Sequence, residues 1–226
     1  MSELDVKTVN ELIGVEESYQ APDQLMKILF KRGKREELFA KFVDLRLGFE
    51  TDWFRDYFQQ VQADRKEKKQ DFTPQSIVNT LTRLVKPTEN YFETAAGTGG
   101  ILVTRWWQDC LQSLPWDYLP SSHFYQAEEL SAAAIPFLLF NCAIRGMNAV
   151  VVNGDALSRE VRQVYFIQND RNRAFDFSSI NVMPHSAEVT KEFEVKKWVE
   201  PERDYIESES LSELVQNAVN LIKVVR

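Results

Sequence analysis

Three acids and a cluster of glycines are the residues whose types and spacing could do chemistry in this chain. In "NYFETAAGTGGILV" (90–103), Glu93 stands four residues before Gly97, with Ala95 between them and Thr98, Gly99 and Gly100 following. A glycine loop between a strand and a helix lets backbone approach a ligand closely and aims N–H groups at negative charge. Its client is either a phosphate or the carboxylate of a methionine moiety. No lysine follows the glycines, so the loop is not a P-loop, and Ile101, Leu102 and Val103 break the dinucleotide fingerprint. Glu93 suits a cationic amine better than a pyrophosphate. Taken alone, the stretch is equally a plain turn.

Further acids extend the pattern. Glu128 or Glu129, ending the strand-like "SSHFYQAEEL", suits a ribose diol, because a carboxylate accepts from both hydroxyls. Asp155, ending "NAVVVNGDAL", suits an exocyclic adenine amine. Each acid alone reads as well as an exposed strand-end carboxylate. In order along one sheet, sites for an ammonium, a ribose and an adenine describe S-adenosylmethionine.

The elements that must position these residues follow from periodicity. Residues 1–70 read as helical, with Leu25, Ile28 and Leu29, then Leu38, Phe42 and Leu45, at three- and four-residue steps. Gly33 and Gly48 are the expected breaks between helices, and "DRKEKKQD" (64–71) closes the region as a solvated charge run. Then "FTPQSIVNTLTRLV" opens a helix, with Thr73 as its cap and Pro74 just inside. A strand near 91–93, the loop, a helix near 101–111, the strand to Glu129 and a buried helix stopped by Gly146 come next. The strand to Asp155 and a weaker strand ending at Asn181 complete the pattern. This alternation predicts an α/β, doubly wound parallel sheet with ligands past the carboxyl ends of its strands. The glycine loop, Glu128/Glu129, Asp155 and Asn181 are all expected there.

Composition narrows the class. The chain has 226 residues, 44% hydrophobic and 12% aromatic, with net charge −7. That is enough for one α/β domain and a modest extra element. The negative charge opposes approach to phosphates, so any grip on DNA must come from a local patch or a partner. Cys142, in an apolar run, and Cys110, in a helical one, are the only cysteines and read as core thiols, with no disulfide or metal site expected. The start lacks a signal-type apolar block, and the longest apolar run (131–144) is too short to cross a bilayer, so a soluble, cytoplasmic protein is expected.

As a set, these residues carry a family resemblance. "FTPQSIVNTLTRLV…NYFETAAGTGGILV" resembles the modification subunits of type I restriction systems and related N6-adenine DNA methyltransferases. That family shows "YTP", a helix, then "DPACGTGGFL". Phe72, Thr73 and Pro74 match the first segment, and Glu93 to Gly100 match the second, with Thr94 and Ala96 replacing Pro and Cys. The family's later Asn and Gly, matched by Asn141 and Gly146, place its ribose acid at Glu129. "NGDTL" is matched by Asn153, Gly154, Asp155, Ala156 and Leu157. The resemblance runs from 72 to 185, about half the chain.

It implies S-adenosylmethionine as cofactor and DNA adenine as substrate, with the adenine flipped out of the duplex. In the family's "NPP[FY]" motif the Asn oxygen and a proline carbonyl accept hydrogen bonds from the poorly nucleophilic amine, and the aromatic ring stacks on the base. The implied catalytic positions are Asn181, Pro184 and His185. Here the sequence departs, since "NVMPH" puts Val182 and Met183 where the prolines belong. About 40 residues follow Asn181, a charged stretch and a final helix "LSELVQNAVNLIKVV". These are too few for the rest of a seven-stranded sheet and a target-recognition region. A partial sheet that meets DNA through a partner or specificity subunit, in a homo- or hetero-oligomer, is expected. The readings left open are an adenine methyltransferase, a non-catalytic assembly module of a restriction–modification or mobile-element complex, and a methyltransferase acting on RNA or protein amines.

Overall fold

The computed structural model describes residues 4–63, 73–84, 89–114, 116–174 and 176–208. Four helices come first: α1 (Val6–Ile13), α2 (Ala21–Leu29), α3 (Arg32–Asp44) and α4 (Arg55–Ala63). Asp5 caps α1 by accepting from Thr8 N at 2.7 Å, and Gly14 ends it in the left-handed region at φ 80°. Gly33 lies inside the first turn of α3 and is not a break; α2 ends at Leu29 and Lys31 precedes α3. Gly48 does lie in the connection before α4.

Next come α5 (Gln75–Leu84), β1 (Asn90–Thr94), α6 (Gly100–Cys110), β2 (Phe124–Glu129), α7 (Ile135–Ile144) and β3 (Ala149–Gly154). They are followed by β4 (Glu160–Gln168), β5 (Ser179–Val182), α8 (Ala187–Glu192) and β6 (Lys197–Trp198). Pro74 presents its carbonyl to Val78 N at 3.0 Å at the start of α5. The charged run at 64–71, Phe72 and the expected final helix lie outside the described residues.

The α/β class holds, but the sheet is mixed where a parallel one was expected. Its order is β1-β2-β3-β4-β5, with β6 also on β4. β1, β2 and β3 are parallel, and α6 and α7 are their crossovers. Only residues 155–159 separate β3 from β4. A parallel return needs about a dozen residues or more, so β4 comes back antiparallel. β5 is antiparallel to β4 and therefore runs with β1–β3.

One apolar cluster includes Ala127, Val151, Tyr165 and Val182 of the sheet, α6, the fully buried α7 and the N-terminal helices. Phe42 and Phe54 meet Phe140 edge-on at 4.8 and 4.9 Å, a favoured aromatic geometry. A smaller cluster on the opposite face packs Val150, Val152, Val164 and Phe166 against Val189 and Phe193. Among the described residues, no helix is long and apolar enough to cross a membrane.

Candidate cofactor site

Alternation along β1 turns Glu93 toward the face covered by α7, in register with Ala127, Val151, Tyr165 and Val182. It is 8% exposed. Burial pushes its carboxyl up to about 8; the Tyr91 hydroxyl, donating at 3.4 Å, draws it back and the charge of Glu129 pushes it further. Beyond β1 the chain turns through left-handed residues, with Ala95 at φ 57°, Gly97 at 60° and Gly99 at 100°. Gly99 is needed on two counts. Its φ disfavours any side chain, and a Cβ there meets Leu138 Cδ1 at 2.9 Å.

Glu129 holds this loop. Its carboxylate accepts from Gly97 N at 2.7 Å and Ser131 N at 2.6 Å. Neighbouring Glu128 also borders the cavity above the loop but is paired with Arg159 Nη1 at 3.0 Å, while Arg159 Nη2 reaches the Phe193 carbonyl at 2.6 Å. The two acids thus differ in their bonds: Glu129 holds the loop backbone, and Glu128 is neutralised by Arg159.

Beneath the loop lies a buried network that the sequence reading missed. Thr98 Oγ1 donates to Asp52 Oδ2, and Asn141 Nδ2 donates to Asp52 Oδ1 at 2.7 Å and to the Thr98 carbonyl at 2.8 Å. Arg145 donates to Asn141 Oδ1 at 2.7 Å and to the Thr51 carbonyl at 2.6 Å, and its guanidinium lies 4.8 Å from the Trp53 ring centroid. Burial raises the Asp52 carboxyl, opposed by its bonds from Thr98, Phe54 N and Asn141. Burial lowers the Arg145 guanidinium to about 10, opposed by Asp52. The segment before α4 is thereby fastened to both the glycine loop and α7.

Above the loop lies a cavity of about 410 Å³, within the range of small-molecule sites. Thr73, Glu93, Ala95, Gly97, Gly100, Glu129, Asp155 and Ala156 all line it. Arg55, Val78, Leu130 and Leu157 join them without having been anticipated. Thr98 and Gly99 shape the loop from below, and Pro74 starts α5. Asp155 accepts from Leu157 N at 2.8 Å, and such bonds lower its carboxyl.

The model of the N-6 DNA Methylase family matches residues 51–202. The chain belongs to this family. The match embraces the Asp52 segment, the glycine loop and all the strand-end acids, without singling out type I modification subunits. Members of the family generally use S-adenosylmethionine, and membership gives the chain a DNA adenine methyltransferase-like character. No curated protein and no solved structure matches the chain.

Against this family setting, the expected catalytic residues stand apart. Asn181 is level with Phe92, Gln126, Val150 and Phe166, within the sheet rather than past its end. The antiparallel β4 stands between β3 and β5, so Asn181 is three strands from β2, roughly 14 Å at the usual spacing. Its amide is engaged: Nδ2 donates to Ser208 Oγ at 3.0 Å, and Oδ1 accepts from Glu207 N at 2.9 Å and Ser208 N at 3.0 Å. Val182 enters the main core, and Met183 N extends the ladder to the Val164 carbonyl at 2.8 Å. Beyond Pro184, His185 stacks on Trp198 at 3.7 Å and 11°. The placement of Asn181, Pro184 and His185 at the cofactor crevice is thus corrected, since none of them lines the cavity.

Proposed function

We propose that the chain binds S-adenosylmethionine in this cavity and serves DNA adenine N6-methylation of the restriction–modification type, meeting DNA through a partner subunit. The convergence of Glu93, the glycine loop, Glu129 and Asp155 on one cavity carries this reading. The donor set fits the cofactor: glycines leave bare backbone beside the ligand, and acids stand in strand order for an ammonium, a ribose and an adenine amine. Bound there, S-adenosylmethionine supplies an activated methyl group.

Handling of the target base falls outside the described arrangement of this chain. The Asn181 amide is taken up by residues 207 and 208, and the net charge of −7 opposes DNA. The favoured reading is accordingly a cofactor-binding assembly subunit without methyl transfer of its own.

Calorimetry is expected to detect S-adenosylmethionine binding by the wild-type chain and none by Gly97→Asp or Glu129→Ala. The chain alone is expected to leave adenine unmethylated in duplex and single-stranded DNA. No binding heat with the wild type would defeat the cofactor reading. Methylation by the chain alone, abolished by Asn181→Ala, would defeat the subunit reading.

A further inference from the structure

Among the described residues lining the cavity, Arg55 is the sole base, set among Glu93, Glu129 and Asp155, with Glu128 neutralised by Arg159. Arg55 is the first residue of α4, so it comes from the N-terminal helices and not from the sheet. Its position is firmly built. Phe54 is fully buried, Trp53 Nε1 donates to the Gly48 carbonyl at 2.7 Å, and Asp52 is bonded to Thr98 and Asn141. The same hydrogen bonds that fasten this segment to the loop therefore fix the base of the guanidinium-bearing side chain at the cavity wall.

S-adenosylmethionine has two cationic groups and one anionic group, the carboxylate of its amino-acid arm. Glu93 suits the ammonium, and the strand-end acids together repel the anion. We infer that Arg55 is the specificity-determining residue for that carboxylate. Its planar guanidinium offers paired N–H donors, a geometry that lysine does not reproduce. The N-terminal helices then form one wall of the cofactor site, and the cavity discriminates nucleosides carrying an amino-acid arm from those without its carboxylate. This inference rests on the cofactor reading above.

The test compares wild type, Arg55→Gln and Arg55→Lys by calorimetry with S-adenosylmethionine and with its decarboxylated analogue. Arg55→Gln is expected to weaken S-adenosylmethionine binding about ten- to hundredfold, as for loss of a charge-assisted pair, and to leave the analogue unchanged. Arg55→Lys is expected to recover part of the loss for S-adenosylmethionine alone. Equal weakening of both ligands would reduce Arg55 to a structural role and overturn the inference. Unchanged S-adenosylmethionine binding would also overturn it, and reduced DNA retention in the same variant would reassign Arg55 to a phosphate. In both cases the cofactor reading survives. Only a wild-type chain that binds neither ligand removes both.

Discussion

Glu93 and Asp155 carry the same functional group in opposite states within one cavity. Burial pushes the Glu93 carboxyl up to about 8, whereas bonds from the backbone at Leu157 and from Ser158 lower that of Asp155. Around neutral pH, Glu93 is largely protonated when no cation faces it. A cationic amine favours its ionised form, so binding below pH 8 releases a proton. Affinity for S-adenosylmethionine is therefore expected to rise from pH 6 to 8, by up to about tenfold per unit. Calorimetry in buffers of differing ionisation heat measures the released proton, and Glu93→Gln should flatten the profile. A flat wild-type profile would remove Glu93 from the amine site. The stability of the unliganded chain runs the other way. Because the folded value is raised, Glu93 contributes stability below the unfolded carboxylate range that is lost as pH rises through about 8. Glu93, Gly97, Glu129 and Asp155 were legible in the sequence because each sits at the end of a strand, where short-range pattern fixes position. Asp52 and Arg145 were not, because the bonds that join their segments, to Thr98, Asn141 and Thr51, span 46 to 94 residues and only the folded chain brings them together.

At the scale of elements, the strands and helices from β1 to β3 followed from alternation and turn residues, and β4 did not. "EVRQVYFIQ" is rich in β-branched and aromatic residues, a sufficient strand signal by itself. The expectation of a parallel sheet left no place for a strand five residues after β3. The tight return also makes Gly154 indispensable. A Cβ at this position would lie 2.7 Å from the Glu160 carbonyl oxygen and 2.9 Å from Val161 Cα, both backbone atoms that cannot swing aside. Gly154→Ala is expected to cost roughly 1–3 kcal/mol, as overpacking does, seen as a lower melting temperature. Gly154 and Asp155 both line the cavity, so the same variant should weaken S-adenosylmethionine binding. An unchanged melting temperature would mean that the hairpin opens freely there.

Across the whole molecule, the segment from 199 to 208 ties the far side of the sheet to the N-terminal helices. Val182 N donates to the Tyr205 carbonyl at 2.8 Å, and the Tyr205 ring meets Phe30 edge-on at 4.7 Å. At its centre Glu207 receives Arg35 through two nitrogens at 2.5 and 3.0 Å, Ile180 N at 2.8 Å and the Tyr205 hydroxyl at 2.8 Å. Arg35 is 1% exposed, so its charge has little recourse to water. Removing one partner of such a pair strands the other. Glu207→Ala should therefore destabilise the chain by roughly 3–5 kcal/mol, measured by urea unfolding. A double change of Arg35→Met with Glu207→Leu should recover part of that loss, because it leaves no orphaned charge while Ile180 N still loses its acceptor. The cofactor cavity lies across β1, β2 and β3, away from this segment. At temperatures where Glu207→Ala is still folded, its S-adenosylmethionine affinity should match that of the wild type. A parallel fall in affinity would mean that the clasp at β5 and the crevice at β1–β3 act as one unit. Unchanged affinity would establish two separable ends, with the Asn181 amide held in the clasp and the glycine loop free to meet its ligand.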